Sequence, residues 1–341
     1  MTAQRKESHD MQEGAMRTDL TVIVPMYNEE ENAETLVEKL NAVLDAAKGT
    51  SEILLVDDGS TDRTPQVAKQ LADETPRVRV ISYLPNRGRG FAMRQGFAAA
   101  RGEIVVTIEA DLSYDPTQIL DLVEVLRSRP QTDIVIGSPY MRGGRTVGVP
   151  SKRLLLSRAG NRVLGYAMSS GLTTVTGMFR AYRRNVLRCL DLEADRKEIH
   201  LEILSKALAL GFEASEVPAV LRGRSKGHSK LRLGRTIVSH LLFSFNERPF
   251  LLFGGVGLGI LLLGLATGGY LIAEWATGKL NPDRPLVTLL VLLLFTGMQV
   301  LLFGFLGTQL ASLRKDVYKI GRRVRSMENP EIRDNADGSS E

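Results

Sequence analysis

Residues 20–30 read LTVIVPMYNEE, 52–62 read EILLVDDGSTD and 103–113 read EIVVTIEADLS. Each stretch opens as a short apolar run rich in β-branched residues and closes on acidic or hydroxyl-bearing ones. Runs of this kind, bounded by turn residues, read as buried strands with polar carboxyl ends. The spacing predicts strands at 20–24, 52–56, 78–81, 103–108 and 133–136, with amphipathic helices between them at 29–47 and 62–72. Alternating strands and helices imply an α/β fold, a mostly parallel sheet with helices on both faces. Ligands of such sheets sit beyond the carboxyl ends of the strands. The polar motifs at 25–29, 57–62 and 109–113 are therefore expected to share one site. No internal repeat is visible.

Working outward, the C-terminal part changes character. Residues 250–273 and 286–313 carry no charge, and each run exceeds the roughly 20 residues a helix needs to cross hydrocarbon. Pro282 and Pro285 break the segment between them, which predicts a transmembrane hairpin over 249–313. Arg222, Arg224, Lys226, Lys230, Arg232 and Arg235 precede it, and Arg314, Lys315, Lys319, Arg322, Arg323 and Arg325 follow it. The positive-inside rule then places both termini and the bulk of the chain in the cytosol of an integral membrane protein, with a bacterial or archaeal inner membrane expected. Residues 231–248 mix Leu233, Ile237, Leu241 and Leu242 with Arg232 and Arg235, a pattern that suits an amphipathic helix lying on the bilayer or an ordinary surface helix. The expected organisation is a disordered lead-in at 1–18, a catalytic domain at 19–230, the interfacial helix at 231–248, the hairpin, and a basic then polar tail at 314–341.

The 341 residues carry a net charge of +5, and the cations gather around the hydrophobic part. That placement favours a membrane surface or phosphorylated ligands, and no aromatic-interleaved basic stripe points to nucleic acid. Cys189 is the only cysteine, which excludes an internal disulfide and a cysteine-rich zinc site.

Carboxylates at strand ends suit ribose hydroxyls, base edges and metal ions. They repel a diphosphate unless a divalent cation lies between, and hard oxygen ligands suit Mg2+ or Mn2+. Taken singly, 57–62 also reads as a turn with a helix cap at Thr61 or Asp62, and 109–111 as a solvated loop. A glycine-rich dinucleotide fingerprint is absent after the first strand, which disfavours NAD.

On these motifs, over residues 20–245, the chain resembles the family 2 glycosyltransferases with a GT-A, Rossmann-like fold, and within them the dolichyl-phosphate mannose synthase group and its polyprenyl-phosphate relatives. The resemblance implies that Pro25, Tyr27, Glu29, Val56 and Asp58 hold the nucleotide, and that Glu109, Ala110, Asp111 and Ser113 handle metal and diphosphate. It assigns Arg153 and Ser157 to the acceptor phosphate, and their spacing of four puts them on one helix face. It also implies that Arg224 and Lys230 close over the donor. Three positions depart from the family pattern. Glu109 and Thr174 stand where aspartate is usual, and Pro139 stands where arginine is usual, with Arg142 or Arg145 as candidate replacements.

The implied activity is metal-dependent, inverting transfer of a sugar from a nucleotide-diphosphate donor, GDP-mannose or UDP-hexose, to a polyprenyl or dolichyl phosphate. Asp111, Arg224 and Lys230 are the expected catalytic groups. The partners are then a nucleotide sugar, a lipid phosphate and the membrane, and paired hairpins offer one route to a homo-oligomer. A processive polysaccharide synthase would share the early motifs but needs a Gln-x-x-Arg-Trp segment, and the sole tryptophan, Trp275, lies between the apolar runs. A non-catalytic membrane scaffold with a diverged transferase domain is the other alternative.

Overall fold

The computed structural model describes residues 18–168, 170–223, 249–278 and 285–328. Arg224, Lys230, the expected interfacial helix at 231–248 and the end of the tail lie outside the described residues. In chain order the first part runs β1 (Leu20–Met26), α1 (Ala33–Ala46), β2 (Ser51–Asp57), α2 (Thr64–Glu74), β3 (Val78–Ser82), α3 (Arg89–Ala99) and β4 (Ile104–Thr107). After a 3-10 turn at Pro116–Gln118 come α4 (Ile119–Ser128), β5 (Thr132–Ser138), β6 (Arg145–Val147) and α5 (Ser151–Met168). They are followed by β7 (Arg180–Arg183), α6 (Arg184–Cys189), α7 (Ile199–Ala209), β8 (Glu213–Pro218) and β9 (Val220–Arg222).

Seven strands form one sheet in the order β3-β2-β1-β4-β7-β5-β8. Strand β7 runs antiparallel to β4 and β5, while the pairs β1–β2, β2–β3, β1–β4 and β5–β8 are parallel. Six strands thus point the same way. Their carboxyl ends share an edge with the amino end of β7, so the chain before Arg180 arrives at that edge too. The central strands are buried on both faces, as continuous apolar runs require: Val22, Ile23, Val24, Ile53, Leu54, Val105 and Val106 are fully enclosed. One face packs on Leu36, Leu40, Ile119 and Leu122 of α1 and α4. On the other, helix α3 lies so close that a Cβ on Gly96 would stand 2.7 Å from Ile23. Helix α1 begins later than the periodicity suggests because 27–31 are taken up by a turn, with Asn28 in the left-handed region at φ 54°.

The C-terminal part of the chain forms α8 (Pro249–Ala276) and α9 (Pro285–Glu328). Stretches Phe253–Ala276 and Pro285–Leu313 are long and apolar enough to cross a membrane, and only 17% and 6% of them is buried, unlike core helices of a soluble protein. The two pack through small residues: a Cβ on Gly257 would meet Leu301 at 2.9 Å, and one on Gly297 would meet Leu261 at 2.7 Å. Close backbone approach of this kind is how apolar helices associate where water supplies no driving force. Helix α9 spans 44 residues, so it continues unbroken past the apolar run into the basic segment that the sequence reading assigned to a tail.

Candidate active site

The first two strand ends are bolted together. The Asn28 amide donates to Ser60 Oγ at 2.9 Å, the Thr61 amide donates to Asn28 Oδ1 at 2.8 Å, and the Glu29 amide donates to Thr64 Oγ1 at 2.8 Å. Asn28 tolerates its positive φ because its short amide side chain bonds locally. Asp57 accepts from the Ser60 amide at 3.1 Å and from Ser82 Oγ at 3.2 Å, and Asp62 accepts from the Thr64 amide at 2.9 Å. These two carboxylates shape the turn as one reading of the sequence expected, but the helix cap expected at Thr61 or Asp62 falls on Arg63, without a side-chain cap bond. Pro25 pairs in register with Val56. The Val56 and Ala110 side chains are buried.

Asp58 lies at the centre of this half. Its Oδ1 accepts from Tyr83 Oη at 3.0 Å and from the Arg87 amide at 2.9 Å, and its Oδ2 accepts from Asn86 Nδ2 at 2.8 Å and the Gly88 amide at 2.9 Å. A carboxylate with four donors is a fixed strut. It holds the loop after β3 against the β2 end, where a Cβ on Gly59 would stand 2.6 Å from the Asn86 nitrogen. Burial, then the Asp58 charge, pushes the Tyr83 phenol well above its ordinary range, so it remains a donor. Behind it, Phe91 packs edge-on to Tyr83 at 5.0 Å, with the Arg87 guanidinium 3.5 Å over its ring.

At the β4 end, Asp111 is buried and accepts from the Ser113 amide at 3.0 Å, around Leu112 at φ 55°. A leucine in the left-handed region is strained, and here it turns the Asp111 and Ser113 side chains at the strand tip. Glu109, on the same rim, has Oε1 3.6 Å from an Arg89 guanidinium nitrogen. Tyr114 stacks on Phe179 with centroids 4.7 Å apart. Burial first, then Glu109, Tyr140 and Asp111, raise its phenol well above the ordinary tyrosine range, so one buried ring adjoins both the acidic rim and Tyr140.

The β5 end forms the other half. Ser138 Oγ shares hydrogen bonds with Thr173 Oγ1 at 2.8 Å and Thr174 Oγ1 at 2.7 Å and accepts from the Tyr140 amide. Glu216 accepts from the Thr174 amide at 2.7 Å and the Thr173 amide at 2.9 Å. The threonine at 174 is thus a buried tie to a carboxylate on β8. On α5, Asn161 Oδ1 accepts from the Val175 amide at 2.7 Å and the Thr176 amide at 3.1 Å. One turn earlier, Ser157 Oγ meets Tyr140 Oη at 2.8 Å, and the Arg158 guanidinium lies 5.7 Å over the Tyr140 ring. Arg153 is exposed one further turn back, as are Arg142 and Arg145.

Arg180 joins the halves. Fully buried at the start of β7, it is in register with Thr107 of β4 and Ile136 of β5 and donates to the carbonyls of Gly177, Val175 and His200. Burial lowers its pKa. His200, also buried, has both ring nitrogens without a hydrogen-bond partner; burial, then Arg180, Arg89 and Lys197, hold its pKa well below the usual histidine value. It is therefore neutral.

The sheet edge thus gathers Pro25, Tyr27, Glu29, Val56, Asp58, Glu109, Ala110, Asp111 and Ser113, with Arg153 and Ser157 on the helix that follows β5. Sequence reading gave no role to Arg89, Tyr114, Glu216 or Arg180. Among the described residues no three His, Cys, Asp or Glu side chains converge to cage a metal. The hard oxygens of Asp111 and Ser113 fit a Mg2+ or Mn2+ ion shared with a diphosphate, since such ions take one or two carboxylates and complete their shell from phosphate and water.

The chain is 34% identical over 225 residues to the dolichol-phosphate mannosyltransferase of Pyrococcus furiosus, a match that takes in 65% of this chain and 61% of that one. It is 28% identical over 309 residues to the undecaprenyl-phosphate 4-deoxy-4-formamido-L-arabinose transferase of Yersinia pestis, covering 87% of this chain and 90% of the relative. Glucosyl-3-phosphoglycerate synthase from Mycobacterium tuberculosis, crystallised with Mn2+, UDP and glucosyl-3-phosphoglycerate, shares the fold with a TM-score of 0.52 at 22% identity, over 70% of this chain and 83% of that one. The profile described as Glycosyl transferase family 2 matches residues 21–191, half of the chain, and the protein belongs to that family of glycosyltransferases.

Proposed function

We propose that this glycosyltransferase moves a sugar from a nucleotide-diphosphate donor to a polyprenyl phosphate at the membrane surface, with inversion at the anomeric carbon. The observation that carries the reading is the shared edge: Glu109 and Asp111 follow the end of β4, and beyond the end of β5 Tyr140 Oη lies 2.8 Å from Ser157 Oγ on the helix that also bears Arg153. Both relatives named above are lipid-phosphate sugar transferases by their names, and two helices of this chain are long and apolar enough to anchor it where such a lipid resides.

In this reading Tyr27, Glu29 and the main chain at Val56 receive the nucleotide, within a frame that Asp58 holds rigid. Asp111 and Ser113 hold a Mg2+ or Mn2+ ion, which when bound would offset the charge of the donor diphosphate. Arg224 and Lys230, outside the described residues, are assigned to the leaving diphosphate on their motif alone. Cations fixed at that place stabilise charge that grows as the bond breaks. Arg153 and Ser157 grip the acceptor phosphate. A phosphate monoester has a second pKa of about 6, so the acceptor is already ionised at neutral pH and needs no general base. Its oxygen forms the new bond to the anomeric carbon as the bond to the donor β-phosphate breaks, and the nucleoside diphosphate leaves. Rate then comes from alignment and from pre-placed charge. The hairpin confines the enzyme to the surface that holds the lipid, which raises effective concentration. Both chain termini are placed on the cytosolic side, where nucleotide sugars are made.

The test supplies membranes containing the protein with a panel of nucleotide sugars and polyprenyl phosphate and identifies the lipid product by mass spectrometry. A hexosyl-phosphoryl lipid, lost in Asp111→Ala, is the expected result. Transfer to a non-lipid phosphate, or full turnover in Asp111→Ala, overturns the reading.

A further inference from the structure

Helix α9 outlasts its apolar run. The stretch long enough to cross a membrane ends at Leu313, and the helix continues to Glu328 through a segment with six lysines and arginines. A face that serves only lipid has no reason to stay apolar past Leu313, yet one does. Phe303, Leu306, Leu310, Leu313, Val317 and Ile320 alternate in spacing between three and four residues, and each is between 48% and 67% exposed. In the sequence the same spacing runs on to Val324 and Met327, and no charged residue interrupts it. At about 100° per residue the six exposed side chains fall on one stripe. Helix α8 packs on the opposite side, marked by Gly297 and Gly304: Cβ atoms there would stand 2.7 Å from Leu261 and 3.0 Å from Phe253. Alternation of three and four sustained from 303 to 327, more than three heptads, is the seam of a left-handed coiled coil.

We propose that α9 pairs along this stripe with α9 of a second copy of the chain, as a parallel coil that begins in the membrane and continues into water. Lipid can cover Phe303 to Leu313 but not Val317 and Ile320, which share the stripe and lie in the charged segment. A soluble partner can cover the last two but not the first four. The occupant must itself turn from apolar to charged at the same depth, and an identical helix does so. Copies inserted in one membrane point the same way, so the seam meets itself position for position about a two-fold axis. Two copies suffice to close it. Arg323 and Glu328 stand in the sequence at a g position and the e position that follows, the two that face each other with opposite charge across such a pair. The pairing rests on the reading of α9 as a membrane-spanning helix and goes beyond it, since the transfer reaction does not require a second copy.

The experiment places single cysteines in the full-length protein in its membranes and oxidises them with copper phenanthroline. The chain's own Cys189 is buried, so the unsubstituted protein is the blank. Val317→Cys and Ile320→Cys, at a and d positions, are expected to give a band of twice the monomer mass on a non-reducing gel, at least about fivefold more of it than Lys315→Cys at an outer f position. Equal yields at all three positions, no product, or a product whose mass is not that of two copies overturns the pairing. Mass photometry of the protein in nanodiscs is the second measurement. Wild type is expected as two copies and the double variant Val317→Glu, Ile320→Glu as one; a double variant that stays paired overturns the proposal. Both side chains are exposed in the single chain, so its fold does not depend on them. Carbonate extraction separates the two readings. Protein that stays in the membrane without cross-linking removes the pairing alone, and protein released by carbonate removes the membrane-spanning reading beneath it.

Discussion

The two halves of the sheet edge are built differently. On the β1–β2–β4 side, Asp57, Asp58, Ser60, Asp111 and Ser113 are all buried, and Asp57, Asp58, Ser60 and Asp111 each accept from a main-chain amide. On the β5–α5 side, Lys152, Arg153, Leu155, Arg158, Arg162, Val163 and Tyr166 are exposed, and only the Ser157–Asn161 face is tied inward. Leu155 is 72% exposed in a helix that has four basic residues and no acidic one. The difference matches the two molecules proposed to meet there. A water-soluble donor rewards a rigid, preformed pocket, because ordering it on binding would cost affinity. An acceptor held in a bilayer arrives with its own apolar surroundings, so the face that receives it can leave apolar and basic side chains uncovered.

Arg180 is the way to break both halves at once. Its buried guanidinium donates to the carbonyls of Val175 and Gly177, just before β7, and of His200 in α7, so Arg180→Met leaves three acceptors without their donor. Loss of about 3–5 kcal/mol is expected, seen as a lower denaturant midpoint and loss of binding to donor and acceptor alike. Retained stability would mean that the halves are held independently. Asp58→Ala is expected to break the donor half alone. Four donors lose their acceptor, two of them main-chain amides, which costs about 2–3 kcal/mol. The KM for nucleotide sugar should rise more than tenfold, with the KM for the lipid changed less than twofold. Equal changes in both would erase the division drawn above.

Tyr140→Phe is the matching cut on the acceptor side. It removes one hydroxyl from Ser157 Oγ and keeps the ring under Arg158, a loss of about 1 kcal/mol. The lipid-phosphate KM should rise about three- to tenfold at unchanged donor KM. A shift in donor KM instead would move Tyr140 to the other half.

What was legible in the chain follows the same division. The donor half rests on strand ends, and strands announce themselves by apolar runs, so 25–29, 57–62 and 109–113 were readable as one rim. The spacing of Arg153 and Ser157 was readable because a helix repeats every 3.6 residues. Strand β7 was missed: it has only four residues, Arg180–Arg183, two of them arginines. The ties of Thr174 to Glu216, Arg89 to Glu109 and Tyr140 to Ser157 were illegible for another reason. Each joins groups that the fold brings together across 17 to 42 residues, and such pairs leave no periodic trace. The departure from aspartate at 174 read in the sequence only as a divergence from the family pattern; its side chain is a structural tie to Ser138.

The smallest effect belongs to the opposite edge of the sheet, and it serves as the control. Glu52, near the amino end of β2, accepts from Thr21 Oγ1 at 2.7 Å, Arg79 at 2.7 Å and the Arg101 amide at 2.9 Å. Burial alone would raise its pKa. The Arg79, Thr21 and Arg101 donors and the Arg79 charge outweigh burial and hold the carboxyl below its ordinary value of 4.5. A carboxylate depressed in the folded state stabilises above its unfolded pKa and loses that contribution as pH falls through the folded one. Glu52→Gln should therefore cost about 1 kcal/mol at pH 7, and the gap to wild type should narrow below about pH 4.5. Neither KM should move, because nothing at this edge touches the carboxyl ends of the strands. A change in donor or acceptor KM would show that the rim is not insulated from the far side of the sheet, and the contrast between a rigid and an open half would then have to be attributed to the sheet as a whole.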